Sequence, residues 1–416
     1  MLRTIQSTLI AGCSAWCLTA CHDQVTSSPL TQRAYVWQRE WTPAVSDAVK
    51  NADTSKLDGL ILFGAEIVWD HGKPKPVRCS INWQSVRSFH KPVSIAMRIA
   101  PYAGAFVADD DVARTLADTA KSLLTKLNDE HVRCTEFQLD YDCPQKKLAS
   151  YALWVRTLRK AVYPTRLVIT TLPAWLDEPE FVRLLELADG YVLQVHSMPP
   201  SQPAAHASVC DPDRAIRWVA KADKLAHPFE VALSTYSAVV GYDEAGNLRG
   251  VALDAVQPSW PDGTRTMHLD SDAEALSALV NEWRASHPPH LRGIIWYRLP
   301  VATDQRNWRT STFSAVIEGR GLIHQLVAHA TDGNPADLSI VNAGNLDENF
   351  TGKVTARWPD EAPVASDAMR GWSVQIDGQH AEFTRTQPLR LPAGAGRSIG
   401  WLRFNQRASL HVEVIR

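Results

Sequence analysis

Short apolar runs rich in β-branched residues recur eight times along the chain, separated by segments with the helical spacing of apolar residues. Runs of this length are typical of strands that are buried on both faces of a parallel sheet and joined by helices. The predicted strands are residues 34–39, 59–64, 93–98, 136–142, 166–171, 190–196, 230–236 and 293–298. Since eight βα units close a barrel, the pattern predicts an α/β fold with a (β/α)8 TIM-barrel body.

The pattern changes after Arg298 to short runs with two-residue alternation, which predict a small all-β C-terminal module resembling a sandwich. A long connection that contains several glycines, residues 238–270, is expected to pass over the barrel mouth. The sequence therefore predicts four segments, which are a leader at 1–20, a tether at 21–33, the barrel at 34–322 and the β module at 323–416.

The N-terminus has the features of a lipoprotein signal peptide. Arg3 precedes a short apolar run, residues 9–18, which leads into Leu18-Thr-Ala-Cys21. The run is shorter than the roughly 20 residues that a membrane-spanning helix needs. We therefore expect a lipid on Cys21 to anchor the chain in a bacterial cell envelope. His22 stands where an Asp would favour the inner membrane, so the outer membrane is the expected location.

Composition and motifs exclude several classes of function. The chain has 43 Lys and Arg against 45 Asp and Glu, and this balance does not indicate a nucleic-acid partner. No glycine-rich phosphate loop or Gly-x-Ser-x-Gly turn follows a strand, so we expect no nucleotide and no other cofactor. Besides Cys21, four cysteines follow the leader, and they leave disulfides open without showing metal-site spacing. They are Cys79, Cys134, Cys143 and Cys210.

The fourth predicted strand carries the sharpest chemical signal. Because side chains alternate along a strand, its polar residues Gln138, Asp140 and Asp142 are predicted to point into the barrel. Pro144 ends the strand, which places Asp142 at the carboxyl end, where barrel enzymes assemble their active sites. The two carboxylates would lie about 7 Å apart at the backbone, close enough for one charge to raise the pKa of the other. Asp142 is predicted to act as a general acid, with Asp140 tuning its pKa.

A structural role for the same strand is the alternative. Asp140 could form an ion pair with Arg39 or Arg98 inside the barrel, and Asp142 could cap the helix that begins near Gln145. A metal site made by Asp140, Asp142 and His196 is a further alternative, although no His pair at ligand spacing accompanies them.

Other residues at predicted strand ends are candidates for substrate binding. Tryptophan is abundant, with 15 Trp against 9 Tyr, and an exposed Trp can stack on the face of a sugar, although most Trp side chains belong to cores. The candidate substrate contacts are Trp37, Arg98, Gln194, His196, Tyr236, Trp296 and Arg298.

Two resemblances follow from these residues. Tyr35-Val-Trp-Gln, the fourth strand and the helix that begins Tyr151-Ala-Leu-Trp resemble a family of bacterial envelope proteins defined as a domain of unknown function. The fourth strand also resembles that of chitinase-type glycoside hydrolases. This resemblance implies that Asp142 stands at the catalytic acid and that Asp140 orients the substrate. It also implies that Trp296 forms the floor of the sugar site, while Gln138 and Asp142 depart from the Asp and Glu of that family.

The sequence therefore predicts an envelope-anchored, glycoside hydrolase-like protein whose substrate is a bacterial or extracellular polysaccharide. The alternative is a lipoprotein that binds a glycan or a protein without catalysis. The two differ in whether Asp142 meets solvent beside an aromatic platform or is enclosed by arginine side chains.

Overall fold

The structure is a computed structural model that describes residues 29–108, 110–196, 208–253, 259–359 and 361–416. The predicted leader and the predicted lipidation site at Cys21 lie outside the described residues. Within those residues, no helix is both long enough and apolar enough to cross a membrane.

The barrel half of the chain contains eight parallel strands and four antiparallel ones. They are β1 (Thr31–Val36), β2 (Gly59–Asp70), β3 (Lys73–Arg78), β4 (Val93–Ile99), β5 (Cys134–Asp140), β6 (Arg166–Thr171), β7 (Gly190–Gln194), β8 (Phe229–Ser234), β9 (Ala238–Tyr242), β10 (Leu248–Ala252), β11 (Arg265–Leu269) and β12 (Leu291–Tyr297). The largest sheet has the order β1-β12-β8-β7-β6-β5-β4-β2-β3, and β1 also pairs with β2. This additional pairing closes the eight parallel strands into a barrel, which confirms the predicted TIM-barrel fold.

Helices cover the outside of the barrel and bury its outer layer of apolar residues. They are α1 (Pro43–Asp53), α2 (Trp83–Arg87), α3 (Asp111–Asp129), α4 (Leu148–Val162), α5 (Pro179–Leu185), α6 (Pro212–Asp223), α7 (Ala273–Ser286) and α8 (Thr310–Glu318). Short polar side chains begin several of them: Asp110 accepts a hydrogen bond from the backbone N–H of Ala113, and Asp211 accepts one from that of Arg214. Such caps satisfy donors that the first helical turn leaves unpaired.

The barrel interior is stacked in layers, because every second residue of each strand points inward. At the amino-terminal base, the buried guanidinium of Arg33 bridges Glu230 and Glu136, at 2.9 Å from the latter. Above it lies an apolar layer that includes Ile61, Ala96 and Ile295. Polar and aromatic residues at the carboxyl ends of the strands form the uppermost layer, which is therefore the layer open to a substrate.

The long connection after β8 forms a separate sheet of three antiparallel strands with the order β10-β9-β11. Its apolar face packs around Val240, Tyr242 and Leu269, together with Val209 from the preceding connection. Residues of this sheet also border the cavity in the barrel mouth. The expectation that residues 238–270 pass over the mouth is thus confirmed in their described part.

Antiparallel strands form the C-terminal part of the chain, as predicted. They are β13 (Leu326–Ala330), β14 (Ala336–Asn342), β15 (Glu348–Arg357), β16 (Ala365–Ala368), β17 (Ser373–Asp377), β18 (His380–Leu391), β19 (Gly396–Arg403) and β20 (His411–Ile415). They make two four-stranded sheets, β13-β14-β19-β16 and β17-β18-β15-β20. Phe350, Phe383 and Leu402 belong to the shared core of this β module, which is separate from the barrel core.

The four cysteines among the described residues are free thiols in this structure. Cys143 and Cys210 are buried, whereas Cys79 and Cys134 are partly buried. Burial raises the pKa of the Cys79 thiol to about 12 and that of Cys134 to about 11. These thiols are therefore protonated at neutral pH and are poor nucleophiles.

We expect Arg33→Met to destabilise the protein strongly at neutral pH. The substitution leaves the carboxylates of Glu136 and Glu230 in the barrel base with only the more distant Arg166, 3.9 Å from Glu136, whereas loss of a partner costs about 3–5 kcal/mol in comparable sites. Chemical denaturation measures the decrease in the free energy of unfolding. The control is Arg87→Met, which breaks the surface ion pair with Glu130 and should cost about 0–1 kcal/mol. Equal losses for the two variants would contradict a structural role for the buried cluster.

Candidate active site

A cavity of about 440 Å3 opens at the carboxyl ends of the barrel strands. Seven of the residues predicted to form the site line it. They are Trp37, Arg98, Asp140, Asp142, Gln194, His196 and Tyr236. Its volume is within the range of pockets that bind small organic molecules, roughly 300–1,000 Å3. The barrel therefore has a site of suitable size at the end where this fold assembles its active sites.

The register of β5 places its acidic residues as predicted. Phe137, Leu139 and Tyr141 pack in the outer core against the helices. Gln138 faces inward, where its side-chain carbonyl accepts a hydrogen bond from the Tyr35 hydroxyl at 2.6 Å. Asp140 follows on the same face and is the first acidic residue to reach the cavity.

Asp140 is held by two neighbours. The Thr170 hydroxyl donates a hydrogen bond to its Oδ1 at 2.7 Å, and Nε of Arg98 lies 3.8 Å from its Oδ2. The side chain is only 15% exposed. Burial, together with the negative charge of Asp142, raises the pKa of Asp140 to about 6, although Arg98 and Thr170 oppose the shift.

Asp142 differs from Asp140 in its surroundings. It is exposed and lines the cavity two residues after the strand ends. The following 3-10 turn, Gln145–Lys147, has no side-chain cap, so the alternative in which Asp142 caps this segment is not what the structure shows. Sequence analysis assigned the raised pKa to Asp142, whereas in the structure the carboxyl that burial shifts toward neutrality is Asp140.

Arg98 lies between two acidic side chains. Its Nε is 3.9 Å from Glu66 and 3.8 Å from Asp140, and Glu66 also pairs with Arg39. The alternative ion pair of Asp140 with Arg98 is therefore present, while Arg39 binds Glu66 instead. Because Arg98 also lines the cavity, one guanidinium both fixes the position of Asp140 and borders the space for a ligand.

Aromatic rings form one wall of the cavity. Trp37 is stacked on Phe63, with ring centroids 4.4 Å apart and planes 9° apart, and its edge contacts Tyr35. Tyr297 packs against Trp37 at 5.5 Å and is stacked with His196 at 5.7 Å. These contacts fix the rings before any ligand binds, so the wall is preorganised.

Two polar side chains that also line the cavity, Gln194 and His196, come from β7 and the residues just after it. Burial lowers the pKa of His196 to about 4, so its imidazole is neutral at neutral pH and can both donate and accept a hydrogen bond. The side-chain amide nitrogen of Gln194 is buried and has no hydrogen-bond partner among the described residues. A buried donor without a partner is costly, so a ligand acceptor in this cavity would satisfy it.

Trp296 and Arg298 do not reach the cavity, and the prediction that they contact substrate there is wrong. Trp296 faces the outer core, where its ring packs against Trp308 and Phe313. Arg298 is buried in an ion pair with Asp304 at 2.9 Å. Tyr297 is the inward aromatic residue of β12, which means that the sequence interpretation assigned the wrong face to this strand.

Sequence reasoning missed several other residues of the cavity. Thr170 could have been found from the alternation of β6, since it lies on the same inward face as Val168. The apolar wall made by the long connection after β8, together with Val209 from the connection before it, gave no local signal, because its position depends on how these connections fold back. The residues of the long connection in this wall are Ala238, Val251, Leu253 and Leu269.

The described residues contain no group of three or more His, Cys, Asp or Glu side chains arranged to hold a metal ion. The alternative metal site at Asp140, Asp142 and His196 is therefore not formed. Asp140 instead has the guanidinium of Arg98 and the hydroxyl of Thr170 as neighbours. Such surroundings are compatible with proton transfer.

We expect Asp140→Asn to stabilise the protein at about pH 7.5 and to lose this effect as the pH falls through about 6 toward 4. The raised pKa means that ionised Asp140 opposes folding above its folded pKa, while below the unfolded value both states are protonated and the penalty vanishes. The gain is at most about 3 kcal/mol. Asparagine can still accept the hydrogen bond from Thr170.

Thermal denaturation across this pH range measures the effect. Asp118→Asn on the exposed face of α3 is the matched control and should show no such pH dependence. A stability difference for Asp140→Asn that is independent of pH would contradict the raised pKa.

Two family models match the sequence. The model described as Domain of unknown function (DUF3142) matches residues 91–302, and that described as Domain of unknown function (DUF8456) matches residues 325–405. The first match spans β4 to β12, and the second covers most of the β module. No curated protein matches the sequence significantly.

Solved structures with similar folds include enzymes that act on glycans. The spore cortex-lytic enzyme SleL from Bacillus cereus is 11% identical, with a TM-score of 0.50 over 71% of this chain and 75% of its own. A chitinase from Chromobacterium violaceum is 13% identical, with a TM-score of 0.47 over 70% of this chain and 98% of its own. At this level of identity the similarity shows the fold alone.

Proposed function

We propose that this chain, which belongs to the family described as Domain of unknown function (DUF3142), is a glycoside hydrolase that acts on a bacterial or extracellular polysaccharide. The observation that carries the proposal is the pair formed by Asp140 and Asp142 in a cavity with an aromatic wall. One member of the pair is buried with a pKa of about 6, and the other is exposed to the ligand space. Paired carboxyl groups in different environments are how glycosidases supply a proton near neutral pH.

Asp140 carries a proton below about pH 6, because burial and the neighbouring charge of Asp142 raise its pKa. Asp140 itself lines the cavity and can give this proton to a ligand there, and Asp142 is the exposed carboxyl group beside it. Transfer of this proton to the glycosidic oxygen allows the bond to the anomeric carbon to break. Water then adds to that carbon, and its proton returns to the carboxylate pair, so the pair is regenerated.

The remaining residues of the cavity fit the binding of a sugar. Trp37 and Tyr297 offer rigid aromatic surfaces, while His196 and the unpartnered amide of Gln194 offer hydrogen bonds to hydroxyl groups. Tyr236 lies at the far side of this wall, 5.7 Å from Tyr297. An apolar face with a few convergent polar groups is the usual composition of a small-molecule site.

Exposure of Asp142 favours catalysis over binding alone. Arg98 and Thr170 contact Asp140 but leave Asp142 open to the cavity, beside the aromatic wall. A carboxyl group enclosed by arginine side chains could not transfer a proton to a ligand. This contrast separates the proposed hydrolase from a lipoprotein that only binds a glycan.

We expect Asp142→Asn and Asp140→Asn each to lower the turnover of polysaccharide by a factor of about 100 or more, because each removes part of the proton-donating pair. Wild-type activity should fall as the pH rises through about 6, where Asp140 loses its proton. Product release from an array of bacterial and extracellular polysaccharides measures both effects, with Asp118→Asn as the control that retains activity. Binding of a glycan by the wild type without cleavage would overturn the hydrolase and establish the binding protein.

We also propose that the chain is anchored in the cell envelope through a lipid on Cys21. The supporting observation is the apolar run that ends in Leu18-Thr-Ala-Cys21. In cells that express the full chain, Cys21→Ala should abolish labelling by radioactive palmitate and move the protein from the membrane fraction to the soluble one. Cys79→Ala is the control and should remain labelled and membrane-bound. Labelling that survives Cys21→Ala would contradict the anchor, and fractionation of inner from outer membranes tests the predicted outer-membrane location.

A further inference from the structure

A second cavity, of about 420 Å3, lies between the barrel mouth and the β module, and we call it the interdomain cleft. The barrel side contributes Tyr236, Asp270 and Trp308, and the module contributes Asp347, Asn349 and Arg390. The cleft is nearly as large as the cavity that contains the carboxylate pair. It needs residues from both parts of the chain, so neither the barrel nor the module could form it alone.

Tyr236 lines both cavities, which places them next to each other. On the barrel side, its ring packs against Tyr297 at 5.7 Å and against His196 at 6.3 Å. On the cleft side, the next aromatic residue is Trp308. Aromatic surface therefore continues from the carboxylate pair into the cleft, as an extended chain of sugars would require.

Trp308 is fixed in position before any ligand binds. Its indole N–H donates a hydrogen bond to the backbone carbonyl of Ser271 at 2.7 Å, and its backbone N–H donates to the side chain of Asn307 at 2.9 Å. Its ring also packs against Trp296 at 5.6 Å. Because the polar end is satisfied and the side chain is half-buried, the part that lines the cleft can serve as a rigid platform.

The module side of the cleft is also ordered. Asp347 forms an ion pair with Arg390 at 3.1 Å and accepts a hydrogen bond from the backbone N–H of Ala393 at 3.0 Å. Asn349 on β15 is exposed within the cleft. Amide, carboxylate and guanidinium groups beside an aromatic face are suited to hydroxyl-rich ligands.

Contacts at the cleft and beside it hold the module against the barrel. The hydroxyl of Thr312 on α8 donates a hydrogen bond to the backbone carbonyl of Asn345 at 2.5 Å. His324 lies between Glu348 of the module, at 3.0 Å, and Glu274 of α7, at 3.4 Å. These contacts connect the two walls that form the cleft.

We propose that the interdomain cleft binds further sugar units of the same polysaccharide whose reacting bond lies at the Asp140–Asp142 pair. This inference rests on the proposed function and gives the β module a direct part in substrate binding. Arg390 is already paired with Asp347 and the carboxylate of Asp270 adds negative charge to these walls, so the cleft disfavours acidic sugars. A ligand long enough to enter both cavities binds more tightly than one that fills the barrel cavity alone.

The test measures binding by the full chain in the Asp142→Asn background, so that cleavage does not interfere. The probes are an array of uncharged bacterial and extracellular glycans, each present as a disaccharide and as a hexasaccharide. Asn349→Trp fills the cleft from the module side, and Asp270→Ala removes a carboxylate from the barrel side. Thr351→Trp is the matched control, because Thr351 is exposed on the same strand and lies outside the cleft.

We expect Asn349→Trp to weaken hexasaccharide binding by about tenfold or more, with a smaller loss for Asp270→Ala. Disaccharide binding should be unchanged in both variants, and Thr351→Trp should bind every probe as the parent does. Equal hexasaccharide binding by Asn349→Trp and Thr351→Trp would overturn the proposed role of the cleft without contradicting the proposed site in the barrel. Absence of cleavage by the wild type, with a hexasaccharide preference that Asn349→Trp removes, would overturn the hydrolase but support the cleft. Absence of binding to every probe would overturn both.

Discussion

The pairing of β1 with both β2 and β12 closes the sheet, and a closed sheet has an interior that alternate residues of every strand must fill. The layers of this interior set the chemistry along the barrel axis. Arg33 compensates two buried carboxylates at the base, and an apolar layer above it keeps water out of the middle. Only the top layer can combine polar groups with access to a ligand, so the mouth is where the chain can carry out chemistry.

The apolar layer also explains the behaviour of Asp140. Its carboxyl group is buried above this layer, where little solvent reaches its charge, and the neighbouring Asp142 adds a second negative charge. Arg98 and Thr170 offset only part of this cost, and the pKa remains raised. The same fold constraint that fills the barrel therefore makes one carboxyl group a proton carrier near neutral pH.

Much of this arrangement could be predicted from the alternation of residues along single strands. The segment Glu136–Asp142 alternates clearly between polar and apolar residues, so its inward face could be identified without a structure. The segment Gly293–Tyr297 does not alternate, because Ile294, Ile295, Trp296 and Tyr297 are all apolar or aromatic. Either face could then be inward, and the prediction placed Trp296 in the site where the structure has Tyr297.

Features that depend on contacts between residues far apart in the sequence could not be predicted from local patterns. The local pattern showed a long connection after β8, but not which of its residues would reach the cavity. Nor could the pattern show which of the two carboxyl groups has the raised pKa, because this depends on the burial of the side chain and not on its distance from the strand end. Asp140 lies lower in the barrel than Asp142, and that difference in burial follows only from the closed sheet.

The two aspartates differ in how deeply they are buried. This difference allows them to meet two requirements that oppose each other. A group that keeps its proton near neutral pH must be shielded from water, whereas a group that meets a polysaccharide must be open to it. One carboxyl side chain could satisfy both only in a cavity that closes over its substrate. Two carboxyl groups, Asp140 at the end of β5 and Asp142 two residues beyond it, satisfy them together, since Asp140 keeps its proton to a higher pH where solvent is scarce and Asp142 is exposed in the cavity. An open mouth of this kind would also leave room for the proposed polysaccharide to continue beyond the barrel, which is where the β module stands.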